Sequence, residues 1–209
     1  MDSIVSFFRS GGPFMYVILL VMIAGFAIMI ERIIVILFRN KIDTSAFIHR
    51  VLDFVQRDNV NHAIEFCNMS AAALPRIMRA GLIEYSKSPK EIQNAFELSG
   101  MAEISKLERR THYLSTIANI STLLGLLGTI FVLIYSFEAV ANADASMKAT
   151  LLSAGISQAM NTTAFGLIVA IPNMVAYAFL QEKTNELIDE INQNVAHVYN
   201  VLTTGRGKK

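Results

Sequence analysis

Three long stretches without a charged residue decide what this chain can fold into. Gly11–Ile30 holds 20 such residues, with apolar character continuing through Ile33–Phe38. Tyr113–Phe137 holds 25 and Ala149–Gln181 holds 33. A helix crossing the hydrocarbon core of a bilayer needs about 20 apolar residues. Each stretch is long enough, so the sequence predicts three transmembrane helices. The first is too long for the apolar core of a signal peptide, and no small-x-small cleavage site ends it. It is therefore expected to stay as an anchor. Only 17% of the 209 residues are charged, against about 25% in an ordinary soluble chain, and mean hydropathy is +0.44. These values exclude a soluble globular enzyme and a disordered chain. A net charge of +1 gives no electrostatic footprint for nucleic acid. The single cysteine, Cys67, can form neither an intrachain disulfide nor a cysteine metal cluster, and reads as a small buried hydrophobe.

Lysine and arginine set the expected orientation. Eleven lie in Arg39–Thr111 and four follow Gln181: Lys183, Arg206, Lys208 and Lys209. Arg9 alone precedes the first span, and Lys148 alone lies between the second and third. Lys and Arg accumulate on the cytoplasmic side. The chain then divides into a periplasmic arm (1–12), a first span (13–38), a cytoplasmic helical loop (39–112) and a second span (113–137). A periplasmic connection (138–149), a third span (150–181) and a cytoplasmic C-terminal helix and tail (182–209) complete it. Glu31 and Arg32 are adjacent near the cytoplasmic end of the first span. They cannot face each other on a helix, and both are expected to snorkel to the interface. Arg109 and Arg110 read as interfacial anchors of the second span.

The polar segments also carry helical signals. Asp43-Thr44-Ser45 can cap a helix on which Phe47, Ile48, Val51, Leu52 and Val55 recur at helical spacing. Short helices are expected near His62–Met69 and Ala71–Tyr85. Ser88-Pro89-Lys90-Glu91 reads as a capping box with proline at the first helical position, where its missing N–H costs nothing. No proline follows until Pro172, so one helix of roughly 50 residues, about 75 Å at 1.5 Å per residue, is expected from Pro89 to about Val140. Beyond the third span, Ile188, Ile191, Val195, Val198 and Leu202 keep a 3-4 spacing over two heptads. That stripe suits packing on another helix or on the chain's own bundle. The fold class is all-α: three spans, with long helices extending into the cytoplasm.

Catalytic chemistry has no visible home. There is no G-x-S-x-G, no H-E-x-x-H and no phosphate-binding glycine loop. His49, His62, His112 and His197 are scattered. His62, Glu65 and Cys67 lack a metal-ligand spacing. No enzyme, metal or cofactor is expected. The informative residues are uncharged and polar, inside the second and third spans. Thr122, Gly125, Thr129 and Ser136 share one helical face, with Gly128 adjacent. Ala159, Thr163, Gly166 and Ala170 fall at i, i+4, i+7 and i+11. Small residues let helices approach closely in lipid, and hydroxyls can bond across the interface or to the i−4 carbonyl. The same residues also suit a polar lane facing a third party. Pro172 leaves a carbonyl that a neighbour or water must satisfy. Neither span holds a titratable group suited to carry a proton.

Three motifs then stand in order: Glu31-Arg32-Ile33-Ile34-Val35-Ile36-Leu37, Gly125-Leu126-Leu127-Gly128-Thr129-Ile130, and Asn161-Thr162-Thr163-Ala164-Phe165-Gly166-Leu167-Ile168-Val169-Ala170-Ile171-Pro172. With the three-span layout they closely resemble the MotA/TolQ/ExbB proton-channel family. The resemblance implies a homopentameric inner-membrane ring around the single spans of a dimeric ExbD/TolR-type partner. That partner carries a proton-binding transmembrane aspartate, and the ring threonines facing it match Thr129 and Thr163. Gly125, Gly128, Thr122, Ser136, Gln158, Gly166 and Pro172 would pack the helices or line the pathway. Three positions depart from the family. Thr122 stands where proline is common, Val132 where glycine is common, and Gln158 where TolQ- and ExbB-like chains commonly have glutamate. Glutamine cannot titrate, so an acid role at that position is lost. MotA-type chains have four spans, so three favour the TolQ/ExbB branch. The expectation is a proton-channel subunit of an ExbB-like motor that energises outer-membrane import. A TolQ-like envelope or gliding motor is the alternative, and a passive membrane scaffold is the alternative of another class.

The orientation has a direct test. Ser88→Cys and Ala145→Cys should react with a membrane-impermeant thiol reagent from opposite faces of the membrane. Labelling of both from the outer face would overturn it.

Overall fold

The computed structural model describes Phe8 and residues 11–204. Arg9 and the tail Gly205–Lys209, with Arg206, Lys208 and Lys209, lie outside the described residues. Every regular element among the described residues is helical. Helix α1 spans Phe14–Ile33 and runs on as a π-helical segment, Ile34–Arg39. Four helices follow: α2 (Thr44–Gln56), α3 (Val60–Asn68), α4 (Ala73–Ile83) and α5 (Pro89–Glu108). Helices α6 (Thr111–Ala141) and α7 (Lys148–Thr204) complete the chain. Three helical stretches are long and apolar enough to cross a membrane, Phe14–Arg39, Pro89–Ala141 and Lys148–Thr204, and each overlaps one of the uncharged stretches of the sequence.

The chain forms two compact units. The first combines residues 1–31 with 110–179, and the second combines 32–109 with 180–209. In the first unit, Met15 and Ile18 of α1 bury against Phe165 and Val169 of α7, with Leu124 of α6 partly buried beside them. Phe8 meets the Phe165 ring edge-on at 5.0 Å. These contacts cover little of the spans. Only 17–33% of each span's most apolar window is buried by the chain itself.

The second unit has a conventional apolar core. Asp43 caps α2, accepting from the Ala46 N–H at 3.0 Å. The helix then presents Phe47, Ile48, Val51, Leu52 and Val55 to the interior. Ser88 and Glu91 close the expected capping box at the start of α5. Ile191, Val198 and Leu202 of α7 enter the same core, with Ile188 and Val195 packed at its edge. The C-terminal stripe thus lies on the chain's own bundle. Cys67 sits in this core, and burial pushes its thiol pKa up to about 12, which suppresses the reactive thiolate.

Two local expectations are corrected. The single helix from Pro89 to Val140 is broken at Arg109 and Arg110 into α5 and α6. Arg109 is extended, with ψ 136°, and Arg110 is left-handed, with φ 68°. For a residue with a Cβ that conformation costs roughly 1–2 kcal/mol. In the first unit, Arg110 gives a forked ion pair to Glu31 at 2.8 and 2.9 Å, which fixes its side chain. Arg32 does not snorkel. It is 3% exposed, and its guanidinium donates to the Leu107 carbonyl in the last turn of α5. A cation there satisfies an orphan carbonyl and complements the negative helix end.

Two glycines in the second unit should respond with opposite signs. Gly81 of α4 lies directly beneath the buried Phe96 ring of α5, so an added methyl has no room. Gly81→Ala should lower stability by about 1–3 kcal/mol through overpacking. A Cβ at Gly100 would meet nothing within 4 Å, so Gly100→Ala should leave stability unchanged or raise it by up to about 1 kcal/mol. Thermal unfolding, followed by reaction of the newly exposed Cys67, reads both.

Candidate ion-pathway site

The site is built on the line where α6 and α7 touch. Gly125 and Gly166 meet backbone to backbone. A Cβ on Gly125 would lie 3.3 Å from the Cα atoms of both Gly166 and Thr163. A Cβ on Gly166 would lie 2.7 Å from the Ser121 carbonyl oxygen and 3.0 Å from the Gly125 Cα. This is how small residues bring helices together where no hydrophobic force separates protein from lipid. Gly128 extends the line, with the Thr162 methyl and Phe14 of α1 packed over it.

Close approach brings Thr129 and Thr163 together. Their hydroxyls are in direct hydrogen-bond contact. The Thr129 hydroxyl also reaches the Gly125 carbonyl at 3.0 Å and the Ala159 carbonyl at 3.1 Å. Thr163 reaches the Gly125 carbonyl at 3.2 Å. Both threonines are half-buried, at the rim of the seam. Two rotatable protons therefore serve two carbonyls and each other. In an α-helix each of these carbonyls already accepts a backbone N–H four residues on, those of Thr129 and Thr163. A hydroxyl can leave its carbonyl without orphaning it.

The remaining expected residues are spread along the seam. Ser136 donates to the Val132 carbonyl at 2.7 Å and presses against Gly155. It lines a cavity of about 290 Å³ with Gln158, Tyr135, Phe14 and Phe131. The Gln158 Nε2 lies 2.5 Å from where a Cβ would stand on Gly12, whose φ of +78° suits glycine. Thr122 is exposed and bonds back to the Ala118 carbonyl at 3.1 Å. No hydrogen bond joins it to Thr129 or Thr163 among the described residues. Pro172 lies inside α7, exposed.

Thr162 and Asn173 are among the buried polar residues that sequence alone did not single out. Thr162 is fully buried and donates toward the Gly11 carbonyl at 2.9 Å and the Gln158 carbonyl at 3.0 Å. It ties α7 to the segment that opens α1. Asn173 is also fully buried, donating to the Val169 carbonyl at 2.8 Å. Its Oδ1 has no hydrogen-bond partner among the described residues and faces Gly25 of α1, where a Cβ would come within 2.6 Å. Their positions next to Thr163 and Pro172 were the available signal.

Comparison with known proteins agrees with this architecture. Residues 69–193, more than half of the chain, match the model of the MotA/TolQ/ExbB proton channel family. The chain belongs to this family. It is 28% identical over 190 residues to a biopolymer transport protein ExbB homologue of Methanothermobacter thermautotrophicus, covering 90% of this chain and 67% of that one. To the Tol-Pal system protein TolQ of Haemophilus influenzae it is 36% identical over 100 residues, 47% of this chain and 42% of the relative. An ExbB-like protein of Synechocystis matches at 29% over 184 residues, 87% of this chain and 72% of the relative. The alignments thus reach from less than half to about seven-tenths of these relatives' lengths. Relatives of both the ExbB and TolQ kinds match, and three apolar helices agree with a multi-pass inner-membrane member of the family.

The seam makes one clear demand. In Gly166→Ala the new methyl meets backbone atoms that cannot swing aside. The variant should lose about 1–3 kcal/mol of stability. It should melt below wild type in detergent. An unchanged melting temperature would mean that α6 and α7 do not touch there.

Proposed function

We propose that this chain is the proton-conducting subunit of an inner-membrane motor of the ExbB kind, converting the proton motive force into work that energises outer-membrane import. Five copies form a ring around the single spans of an ExbD/TolR-type partner dimer. The long loop and the C-terminus face the cytoplasm, and the N-terminus faces the periplasm. The partner's transmembrane aspartate takes up and releases the proton opposite Thr129 and Thr163. The reading is carried by the half-buried hydroxyl pair at the rim of the α6–α7 seam, in two spans without carboxylate, histidine or lysine. The bare apolar surface of all three spans supports assembly with further helices.

A carboxylate in hydrocarbon is expensive, and a neutral carboxylic acid is less so. Each threonine offers one donor and two lone pairs. Rotation of a hydroxyl lets it donate to the carboxylate or accept from the acid. The Gly125 and Ala159 carbonyls keep their helical N–H bonds throughout, so neither state of the aspartate leaves a buried group unpaired. A TolQ-like motor would use the same site. Recovery of a co-purified partner with one Asp-bearing span, and the identity of the machine it drives, separates the two.

One observation favours the scaffold reading: the hydroxyls satisfy each other inside the chain. Valine substitution decides between them. Thr129→Val and Thr163→Val keep the shape and orphan no carbonyl, so expression and oligomer should persist. Proton flux with the partner in proteoliposomes should fall about tenfold or more, equivalent to adding about 1.4 kcal/mol to the barrier. Thr150→Val, exposed near the start of α7, should conduct as wild type does. Wild-type flux in both seam variants would leave the threonines as packing residues.

A further inference from the structure

The second unit contains a basic cavity that proton conduction does not use. Its volume is about 190 Å³, and Arg39, Arg76 of α4, and Glu103 and Lys106 of α5 contribute to its lining. Glu103 receives Lys106 at 2.6 Å and Arg76 at 3.4 Å. Three cations thus meet one carboxylate, leaving two positive charges in excess. Arg39 is exposed, and no hydrogen bond or ion pair engages its guanidinium among the described residues. One wall is fixed by Asn40, which is 8% exposed. Its Oδ1 accepts from the Ala73 N–H at 3.0 Å, and its Nδ2 donates to the Val35 carbonyl at 2.8 Å. Asn40 thereby occupies the first N–H of α4, so the side-chain cations and not the helix end give the cavity its charge. A second cavity of about 320 Å³ shares Ala71 and Arg76 and adds Arg79. The positive lining therefore continues past Arg76.

Position along the chain says what such a cavity meets. Arg39 ends the 26-residue helical stretch Phe14–Arg39. At 1.5 Å per residue that stretch is about 39 Å long, beyond the roughly 30 Å of hydrocarbon and into the headgroup layer. Cations at that depth, in excess of the one carboxylate beside them, would lie within reach of lipid phosphates. Arginine forks fit phosphate oxygens in pairs, and lysine adds a point charge.

We infer that this cavity binds a phosphate-bearing anion through Arg39, Arg76 and Lys106, drawn from an anionic lipid headgroup or from free phosphate. The inference does not depend on proton passage. The test uses the full chain in neutral detergent, titrated with phosphatidylglycerol, phosphatidylcholine or inorganic phosphate. Melting temperature and ligand retention in native mass spectrometry are read for each. Phosphatidylglycerol should be retained and should raise the melting temperature, and phosphatidylcholine should do neither. Arg39→Gln and Lys106→Gln should each weaken that response about fivefold. Arg39→Gln should melt as wild type does without ligand, because it removes no bond. Arg57→Gln, at the C-cap of α2 and outside the cavity lining, should respond as wild type does. A response to phosphatidylglycerol alone assigns the headgroup, and a response to inorganic phosphate assigns the free anion. Equal responses to the two lipids with none to phosphate, or a response that survives Arg39→Gln and Lys106→Gln, would overturn the site.

Discussion

Hydrocarbon offers no hydrogen bonds, so every polar group placed in it must find its partner within protein. The first unit shows how this is met. Ser121, Thr129, Ser136 and Thr162 each bond a carbonyl four residues earlier on their own helix. Satisfied in this way, a hydroxyl can sit in a span without a partner chain. It can also turn outward when one arrives. The close contact of Gly125 with Gly166 is what sets two such hydroxyls against each other, and the candidate pathway depends on it.

The second unit obeys a different rule. It gathers a conventional apolar core, so apolar burial drives its folding. Its core gathers side chains from α2 to α5 together with the C-terminal stripe of α7. Polar caps finish the helix ends: Asp43 at α2, Ser88 with Glu91 at α5, and Asn40 between the end of the first span and α4. Arg32 belongs to the same class of device, because its buried charge closes the last turn of α5.

What the sequence revealed follows from how local each signal is. Three spans could be read because lipid demands some twenty consecutive apolar residues. The capping box at Ser88 and the stripe from Ile188 to Leu202 could be read because their spacing is fixed by the helix itself. Thr129 and Thr163 stood out as hydroxyls in apolar runs, although spacing alone could not separate packing from conduction. The break at Arg109–Arg110 gave no warning, since neither residue is a glycine, proline or asparagine. Arginine enters the left-handed region only when distant contacts hold it there. Arg32 was misread for a related reason: the carbonyl that receives it lies 75 residues away. The roles of Thr162 and Asn173 rest on which residue of α1, or of the segment that opens it, lies opposite, which no periodicity encodes.

The glycine contact also bears on how such a chain can change over generations. Exposed positions such as Leu123, Ile134 and Ile168 meet no wall within the chain, which asks of them only an apolar side chain. Gly125 and Gly166 admit almost no exchange, because each is walled by the backbone of the other helix. Substitution at one cannot be compensated by shrinking the other, since both already lack a side chain. Drift is therefore expected to run freely around the outside of the spans and to stop along one narrow line. That line would be the most faithful record of ancestry in the sequence.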